Sequence, residues 1–436
     1  MSFDWLALTL GDVCKKITDG AHKSPKSVDD GKLMASVKDL TRFGVDLSNA
    51  RRISKDDFDE LVQQGCKPQV GDVLIAKDGN SALDTVCTVD SEIDAVLLSS
   101  VAILRPDPEK LDSNFLKYYF CSPQVIDYLK TNFISGAAIP RVVLRDFRKA
   151  KINLPPLRIQ RKISQCLSSI DNKILSNNQT NQTLEQMAQA IFKSWFVDFD
   201  PVKAKMNGEQ PEGMDAATAS LFPDKLVESE LGLIPEGWML SEIGEEVTVV
   251  GGSTPSTKND DFWINGDIHW TSPKDLSGVQ DKVLLDTAGK ITEAGLKKIS
   301  SGLLPVDTVL LSSRAPVGYL ALAKVPMAIN QGYIAMKCEK QLPPEFVLQW
   351  CVYRMDEIKQ RASGSTFAEI SKKSFKPISV VVPTGAILSA YQKLVKPIYN
   401  AITSNARQNE QLSTLRDTLL PKLLSGEIEL APQGEQ

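Results

Sequence analysis

Residues that could carry out covalent or metal chemistry are sparse in this sequence. Only two histidines are present, His22 and His269, and the seven cysteines include no CxxC pair, so a zinc site is not expected. The GxxxxGK[ST] phosphate loop and the GxSxG nucleophile motif are absent. Asp107, Glu109 and Lys110 are spaced too tightly for a nuclease site, and an acidic surface turn explains them better. We therefore predict no catalytic residue, no metal and no cofactor-binding residue in this chain.

The composition is that of a multidomain protein outside membranes. The chain has 436 residues, of which 42% are hydrophobic and 24% charged, and it contains no uninterrupted apolar run of membrane length. The N-terminal segment lacks the basic region of a signal peptide, and scattered cysteines suit reduced thiols, so we predict a cytoplasmic location. The net charge of −4 is compatible with a nucleic-acid partner only if basic residues are gathered on one face or other subunits supply positive charge.

Two long segments with heptad spacing are expected to position the rest of the chain. Seam residues in the first alternate by four and three, which predicts a coiled-coil helix: Ile163, Leu167, Ile170, Ile174, Asn177, Asn181, Leu184, Ala188, Ile191 and Trp195. Adding 228 to each number gives the second seam: Tyr391, Val395, Ile398, Ile402, Asn405, Asn409, Leu412, Arg416, Leu419 and Leu423. Both asparagines recur at equivalent positions, and Arg416 is the one charged residue among these seam positions.

The globular parts of the chain are repeated as well. Trp5 corresponds to Trp238 with an offset of 233, and Pro155 corresponds to Pro383 with an offset of 228, so small insertions are confined to the globular parts. This pattern indicates a tandem duplication. The predicted boundaries are 1–156 for the first globular domain, 157–199 for the first helix, 200–236 for a partly ordered connector, 237–384 for the second domain, 385–425 for the second helix and 426–436 for a tail.

A mixed α+β fold follows, with two pseudo-repeated α/β domains joined by two long antiparallel coiled-coil helices. Asn177 and Asn181 should then lie near Asn405 and Asn409 and fix the register of the pair; the alternative is that these asparagines are solvent-facing breaks. From Ile163 to Trp195 the helix would span roughly 50 Å. A rod of this length with one reading domain at each end suits two short DNA half-sites separated by unread base pairs.

Shorter elements are predicted inside the first domain. Strands are expected at 70–76, 85–89 and 95–104, and one helix is expected from Ser113 to Thr131.

The sequence resembles the specificity subunits of type I restriction–modification enzymes. The resemblance rests on Ile234-Pro-Glu-Gly-Trp238, Leu154-Pro-Pro-Leu157…Gln160-Arg-Lys-Ile163, Phe192-Lys-Ser-Trp-Phe-Val-Asp-Phe-Asp-Pro201 and Leu415-Arg-Asp-Thr-Leu-Leu-Pro-Lys-Leu-Leu-Ser-Gly-Glu427. The resemblance implies two target-recognition domains that each read half of a bipartite, asymmetric site in double-stranded DNA. It implies a helical spacer, two docked methyltransferase subunits that carry S-adenosylmethionine, and no catalysis by this chain. Whether an ATP- and Mg²⁺-dependent restriction subunit joins is left open. The second helix entry departs from the pattern, because Thr384 replaces the second proline and Leu388 replaces Gln160.

DNA reading needs loop side chains that can reach base edges or phosphates. The candidates, taken from loops at equivalent places in the two repeats, are Lys23, Lys26, Lys77, Asn80, Arg141, Ser253, Thr254, Lys258, Arg314, Gln331 and Thr366. For any one of them, plain solvated surface is the alternative.

Two rival functions remain open from the sequence. The net charge favours a coiled-coil protein–protein adaptor without DNA recognition, and a self-sufficient nuclease is a remote third option.

Overall fold

The structure, a computed structural model, describes residues 5–79, 82–135, 140–314, 316–364 and 368–428. The chain forms two compact units: unit 1 comprises Met1–Leu175 with Gln411–Gln436, and unit 2 comprises Ser176–Glu410. Both long helices are therefore divided between the units. The predicted mixed α+β fold is confirmed.

Unit 1 contains the first globular domain. Its strands are β1 (Leu6–Thr9), β2 (Cys14–Asp19), β3 (Lys32–Ala35), β4 (Leu40–Thr41), β5 (Gly44–Val45), β6 (Arg51–Ile53), β7 (Val73–Ala76), β8 (Val86–Thr88), β9 (Ala95–Leu97), β10 (Val101–Pro106), β11 (Ile134–Ser135), β12 (Arg141–Val142) and β13 (Lys151–Leu154). Its short helices are α1 (Leu10–Val13), α2 (Lys55–Gln63), α3 (Ser113–Tyr119), α4 (Pro123–Phe133) and α5 (Leu144–Phe147).

The central sheet of this domain is antiparallel, in the order β2–β10–β7–β8. Every residue of β7, Val73–Ala76, is buried, as expected for a short apolar run covered on both faces. A second sheet has the order β6–β3–β9, and β1 pairs with β13, which leads directly into the long helix.

Two predictions about the first domain are corrected by the structure. The expected helix from Ser113 to Thr131 is broken into α3 and α4, because Pro123 occupies the first turn of α4 and cannot continue a preceding helix. The expected strand at 95–104 is two strands, β9 and β10, which belong to different sheets.

The first long helix, α6 (Leu157–Phe196), is followed by an ordered connector. The connector contains α7 (Asp200–Met206), α8 (Ala216–Ser220) and a hairpin of β14 (Leu226–Ser229) and β15 (Gly232–Pro235). At Phe199 the backbone adopts a left-handed conformation (φ 56°) directly before α7 begins. The helix thus ends three residues before the predicted limit of 199.

The second globular domain, in unit 2, repeats the plan of the first. Its elements are β16 (Met239–Glu242), α9 (Ile243–Glu246), β17 (Thr248–Val250), β18 (Ile268–Thr271), α10 (Pro273–Leu276), β19 (Val283–Leu284), β20 (Gly289–Ile291), α11 (Glu293–Leu296), β21 (Val309–Ser312), β22 (Leu320–Ala323), β23 (Ala328–Ile329), β24 (Tyr333–Lys337), α12 (Pro344–Tyr353), α13 (Met355–Gln360), α14 (Lys372–Phe375) and β25 (Ser379–Val382). The main sheet, β17–β24–β21–β22–β19, has the order of its counterpart in unit 1 plus one added strand, β19.

The second long helix, α15, runs from Gly385 to Leu424 and, like α6, has 40 residues. In unit 1 the seam residues Ile163 and Leu167 share one core with Leu420 and Leu423. In unit 2, Trp195 belongs to an aromatic cluster with Phe192, Phe196, Phe222 and Tyr391, among others. Each globular domain is therefore built onto segments of both long helices.

Among the described residues, no helix combines the length and the apolar character that crossing a membrane would require.

Candidate nucleic-acid interface

In the first domain, chain segments that are distant in sequence converge at one group of loops. Lys77 N donates to Ser100 O (2.8 Å), Val142 N donates to Lys77 O (3.0 Å), and Gly79 N donates to Pro140 O (2.9 Å). Ala21 forms a bridge to Leu98, which brings the end of β2 to the same place. We call residues 19–23, 77–79, 98–100 and 140–142 loop cluster 1.

The second domain contains the same arrangement. Ser313 N donates to Gly332 O (2.8 Å), and Ile370 N donates to Ser313 O (3.0 Å). Ser313 stands where Lys77 stands in the first domain, and Ile370 where Val142 stands. We call residues 251–254, 312–314, 329–332 and 368–370 loop cluster 2. The duplication thus preserves backbone hydrogen bonds of the loops, while the side chains at these positions differ.

One glycine in each cluster is required by close packing. A Cβ atom at Gly20 would lie 2.1 Å from Leu97 O, and a Cβ atom at Gly252 would lie 1.8 Å from Ile329 O. Both contacts are to backbone atoms, so a side chain at either position forces the loop to move.

We expect Gly252→Ala to destabilise the second domain by about 1–2 kcal/mol, because the surface loop can relieve part of the overlap by shifting. Urea unfolding of the full chain measures the effect. Gly278→Ala is the matched control in the same domain, since its Cβ would meet no atom within 4 Å. Equal stability of the two variants would show that the close approach at Gly252 is not required.

The predicted contact residues fall into different environments. Lys26, Thr254, Lys258 and Gln331 are exposed. Lys23 is exposed too, and its Nζ lies 3.9 Å from a carboxylate oxygen of Asp57 and of Glu60. Asn80 and Thr366 lie outside the described residues.

Lys77 is placed inside the first domain. It is buried, and its Nζ donates to Asp19 Oδ2 at 2.6 Å. Its backbone also carries two of the hydrogen bonds of loop cluster 1. In this structure the ammonium group joins two loops of the domain, and it is not presented at the surface.

Three predicted residues of the second domain come together. Thr254 Oγ1 donates to Gln331 Oε1 at 2.7 Å, and Ser253 N donates to Ile329 O at 3.1 Å. Trp270 Nε1 donates to Ser253 O at 3.3 Å, which fixes the backbone of this loop. Hydroxyl and amide groups arranged in this way can donate to and accept from phosphates and base edges.

Arg141 and Arg314 each face a carboxylate. Arg141 Nε donates to Asp78 Oδ1 at 3.0 Å, and Arg314 Nη1 lies 3.9 Å from Glu369 Oε2. The acidic partners were not among the residues predicted from the sequence.

The predicted asparagine positions also contact one another in unit 2. Asn177 Nδ2 donates to Asn409 Oδ1 at 2.8 Å, and Asn405 Nδ2 donates to Asn181 Oδ1 at 2.8 Å. Asn177 and Asn181 are buried, and these pairs give the two helices an antiparallel register within this unit. That they select this register over others stays a prediction.

A buried carboxylate on α6 joins the domain to the helices in unit 1. Asp171 Oδ1 accepts from Arg416 Nη1 at 2.8 Å, and Asp171 Oδ2 accepts from Tyr118 OH at 2.8 Å. Arg42 Nε and Lys117 Nζ each lie 3.4 Å from Asp171 Oδ2. Burial alone would raise the pKa of Asp171, but the nearby cations and the Tyr118 hydroxyl hold it below its usual value. We call these residues the Asp171 cluster.

Unit 2 has its own buried carboxylate on the same helix. Glu185 accepts from Lys282 Nζ (2.8 Å), Gln349 Nε2 (3.0 Å) and Tyr399 OH (2.8 Å). Burial opposes its ionisation, yet Lys282 and the hydrogen-bond donors hold the pKa of Glu185 below its ordinary value. The sequence offered one signal for such clusters: Arg416 occupies an apolar seam position, and a buried arginine needs a carboxylate partner.

The comparisons with known proteins agree with this architecture. The sequence pattern of the type I restriction modification DNA specificity domain matches residues 3–186 and 235–414. The specificity subunit of the type I restriction enzyme HindI of Haemophilus influenzae is 26% identical over 474 aligned positions, which cover 98% of this chain and 100% of the relative. The MjaIX specificity subunit of Methanocaldococcus jannaschii is 32% identical over 195 residues, covering 43% of this chain and 44% of the relative.

A solved structure shares the fold. The crystal structure of the type I restriction–modification S subunit from M. genitalium matches with a TM-score of 0.56 and 17% identity, and the match covers 97% of this chain and 96% of the other. With two copies of the family's domain over most of its length, this chain belongs to the type I restriction modification DNA specificity family.

Proposed function

We propose that this chain is the DNA sequence-specificity subunit of a type I restriction–modification system. Each loop cluster reads one half of a bipartite, asymmetric site in double-stranded DNA. The observation that carries the proposal is the repeated backbone bonding of the two clusters, at Lys77 in one and Ser313 in the other. The two clusters share a backbone arrangement but present different side chains, which suits the reading of two half-sites of different sequence.

The chemistry of the complex is assigned to other subunits. Two methyltransferase subunits that carry S-adenosylmethionine dock on this chain, and ATP with Mg²⁺ acts on a restriction subunit in systems that have one. This chain contributes sequence reading and a scaffold, in the cytoplasm. Among the described residues, no group of histidine, cysteine and acidic side chains is arranged to hold a metal ion.

Methylation mapping tests the proposal. The full chain is expressed with the methyltransferase subunit of the same system in a host that lacks other methyltransferases, and genomic methylation is mapped. We expect one asymmetric motif with two specified halves separated by unspecified bases. Methylation with no bipartite motif would contradict the proposal. Salt-dependent gel shifts with and without the methyltransferase subunit test the adaptor alternative, which predicts that this chain adds no salt-sensitive DNA binding.

The prediction that the long helices set the gap between the half-sites has its own test. Deleting residues 176–182 and 404–410 removes one equivalent heptad from each helix, a shortening of about 10 Å or near three base pairs of DNA. We expect a motif with unchanged half-sites and a gap altered by about that number. In the control, each heptad is replaced by the other, which keeps both lengths, and the gap should not change. An unchanged gap in the deletion variant would count against the helices as a spacer.

A further inference from the structure

Both loop clusters contain an ion pair at equivalent positions, but the charges are exchanged. Asp78 and Arg141 form an isolated antiparallel bridge in the first domain, and Arg314 and Glu369 form one in the second. Position 314 is 78 plus 236, and position 369 is 141 plus 228, which are the offsets that relate the two loop clusters. The acid of one domain therefore stands where the arginine of the other stands.

The two arginines are accessible to a partner. The Arg141 side chain is 62% exposed and that of Arg314 is 37% exposed. Ion pairs this exposed contribute little to folding, so stability does not explain why both domains keep one. Each pair also sits at the centre of its cluster, because Val142 and Ile370, which follow the bridges, donate the backbone hydrogen bonds that join the loops.

A carboxylate-bound arginine has selective binding properties. The pair is electrically neutral, so it attracts DNA phosphates less than a free arginine does. Guanine offers O6 and N7 as two acceptors in the major groove, and a guanidinium fork can donate to both. By contrast, Asp78 accepts one hydrogen bond from Arg141, and Glu369 lies 3.9 Å from Arg314, so guanine provides more hydrogen bonds than either carboxylate. Bases without two such acceptors leave the arginine with its own carboxylate.

We propose that Arg141 and Arg314 each read a guanine, one in each half-site, and that Asp78 and Glu369 are positioning residues that hold the guanidinium groups ready. This inference rests on the proposed function. In the first domain the arginine is the second residue of the bridge in chain order, and in the second domain it is the first. The two guanidinium groups therefore extend from different backbone positions of equivalent loop clusters. The two domains are thereby fitted to different half-sites.

The test uses the full chain in complex with its methyltransferase subunits and the methylated site mapped as above. Arg141→Ala and Arg314→Ala are each assayed by competition with duplexes in which every specified base pair is replaced singly. We expect each variant to lose discrimination of about tenfold or more at one G·C pair, in opposite half-sites, with the other positions unchanged. Uniform loss across all duplexes with a salt slope reduced by about one would mean a phosphate contact and would overturn guanine reading. Unchanged discrimination in both variants would overturn it too.

Asp78→Asn tests the positioning role. Freeing Arg141 should raise the affinity for unrelated DNA severalfold and lower the ratio of specific to unrelated binding, without a change in melting temperature. An unchanged ratio would overturn the role of Asp78. Asp59→Asn is the control, because it removes an acid from an exposed ion pair, with Lys55, in the same domain. Lys55→Ala and Lys225→Ala are the controls for the two arginine variants, because each removes a cation from an exposed ion pair elsewhere in the same domain or unit. Failure of the proposed function would be seen separately, as the lack of a bipartite methylated motif with the unaltered chain.

Discussion

Replacing Asp171 with asparagine is expected to destabilise unit 1 by about 3–5 kcal/mol, the usual cost of removing one partner from a buried ion pair. The substitution keeps the shape of the side chain but removes the counter-charge of the buried Lys117 and leaves Arg416 with only the exposed Asp417. Hydrogen exchange in the full chain, followed in α3 and the first half of α6, measures the loss as faster amide exchange in those segments.

The pH dependence of this effect has a definite sign. Because the folded pKa of Asp171 lies below its ordinary value, its stabilising contribution is present above the unfolded pKa of about 3.9 and is lost as pH falls through the folded pKa. The variant and the unaltered chain should therefore differ by a constant amount between pH 6 and 8 and converge in strong acid. Asp417→Asn is the control, since Asp417 contacts the same arginine but is 61% exposed, and it should cost less than 1 kcal/mol. Equal effects of the two substitutions would refute the buried-pair explanation.

Glu185→Gln is expected to destabilise unit 2 by about 2–3 kcal/mol. Its amide nitrogen would face the Tyr399 hydroxyl or the amide of Gln349, and these buried donors would lose an acceptor. The expected loss is smaller than for Asp171, because the Lys282 side chain is 25% exposed and can turn to solvent. Faster hydrogen exchange should be confined to α12 and to the adjoining parts of α6 and α15.

A matched control for Glu185 lies in the same unit. Glu236→Gln makes the same chemical change at an exposed ion pair with Lys225, and it should alter stability by less than 1 kcal/mol. If Glu185→Gln behaved like Glu236→Gln, the contacts of Glu185 with Lys282, Gln349 and Tyr399 would not contribute measurably to the stability of unit 2.

The long helices and the duplication were predictable from sequence, because the spacing of apolar residues along a helix shows which face is buried without any knowledge of distant contacts. A seam residue such as Leu167 or Val395 reveals its buried face through neighbours three and four positions away. The helix ends were less predictable. The left-handed conformation of Phe199 depends on how the connector packs, and no local sequence pattern predicts it. The helix α15 begins at Gly385, although the segment before it lacks the proline pair that precedes α6.

The loop residues were less accessible to sequence reasoning, since their environment is set by contacts distant in the chain. Lys77 follows a strand and looks like a surface lysine, but Asp19, 58 residues away, draws its ammonium group inward. In the same way, Arg416 signalled a buried acid without indicating that Asp171, on the other long helix, supplies it. Counting charged residues cannot show which pairs the fold brings together.

The Asp171–Arg416 pair also bears on which helices can associate during synthesis. The asparagine pattern recurs after 228 residues, so it cannot distinguish α15 from a second copy of α6 on a neighbouring chain. In an antiparallel pair of two α6 helices, Asp171 would face Ala188, which stands 228 positions before Arg416; in a pair of two α15 helices, Arg416 would face Tyr399. The pair of two α15 helices leaves the buried Arg416 without the carboxylate of Asp171, which costs several kilocalories per mole. In the pair of two α6 helices, Asp171 loses Arg416 but keeps Arg42 and Lys117 of its own domain. Arg416 therefore disfavours the pairing of two α15 helices, which the asparagine pattern alone does not.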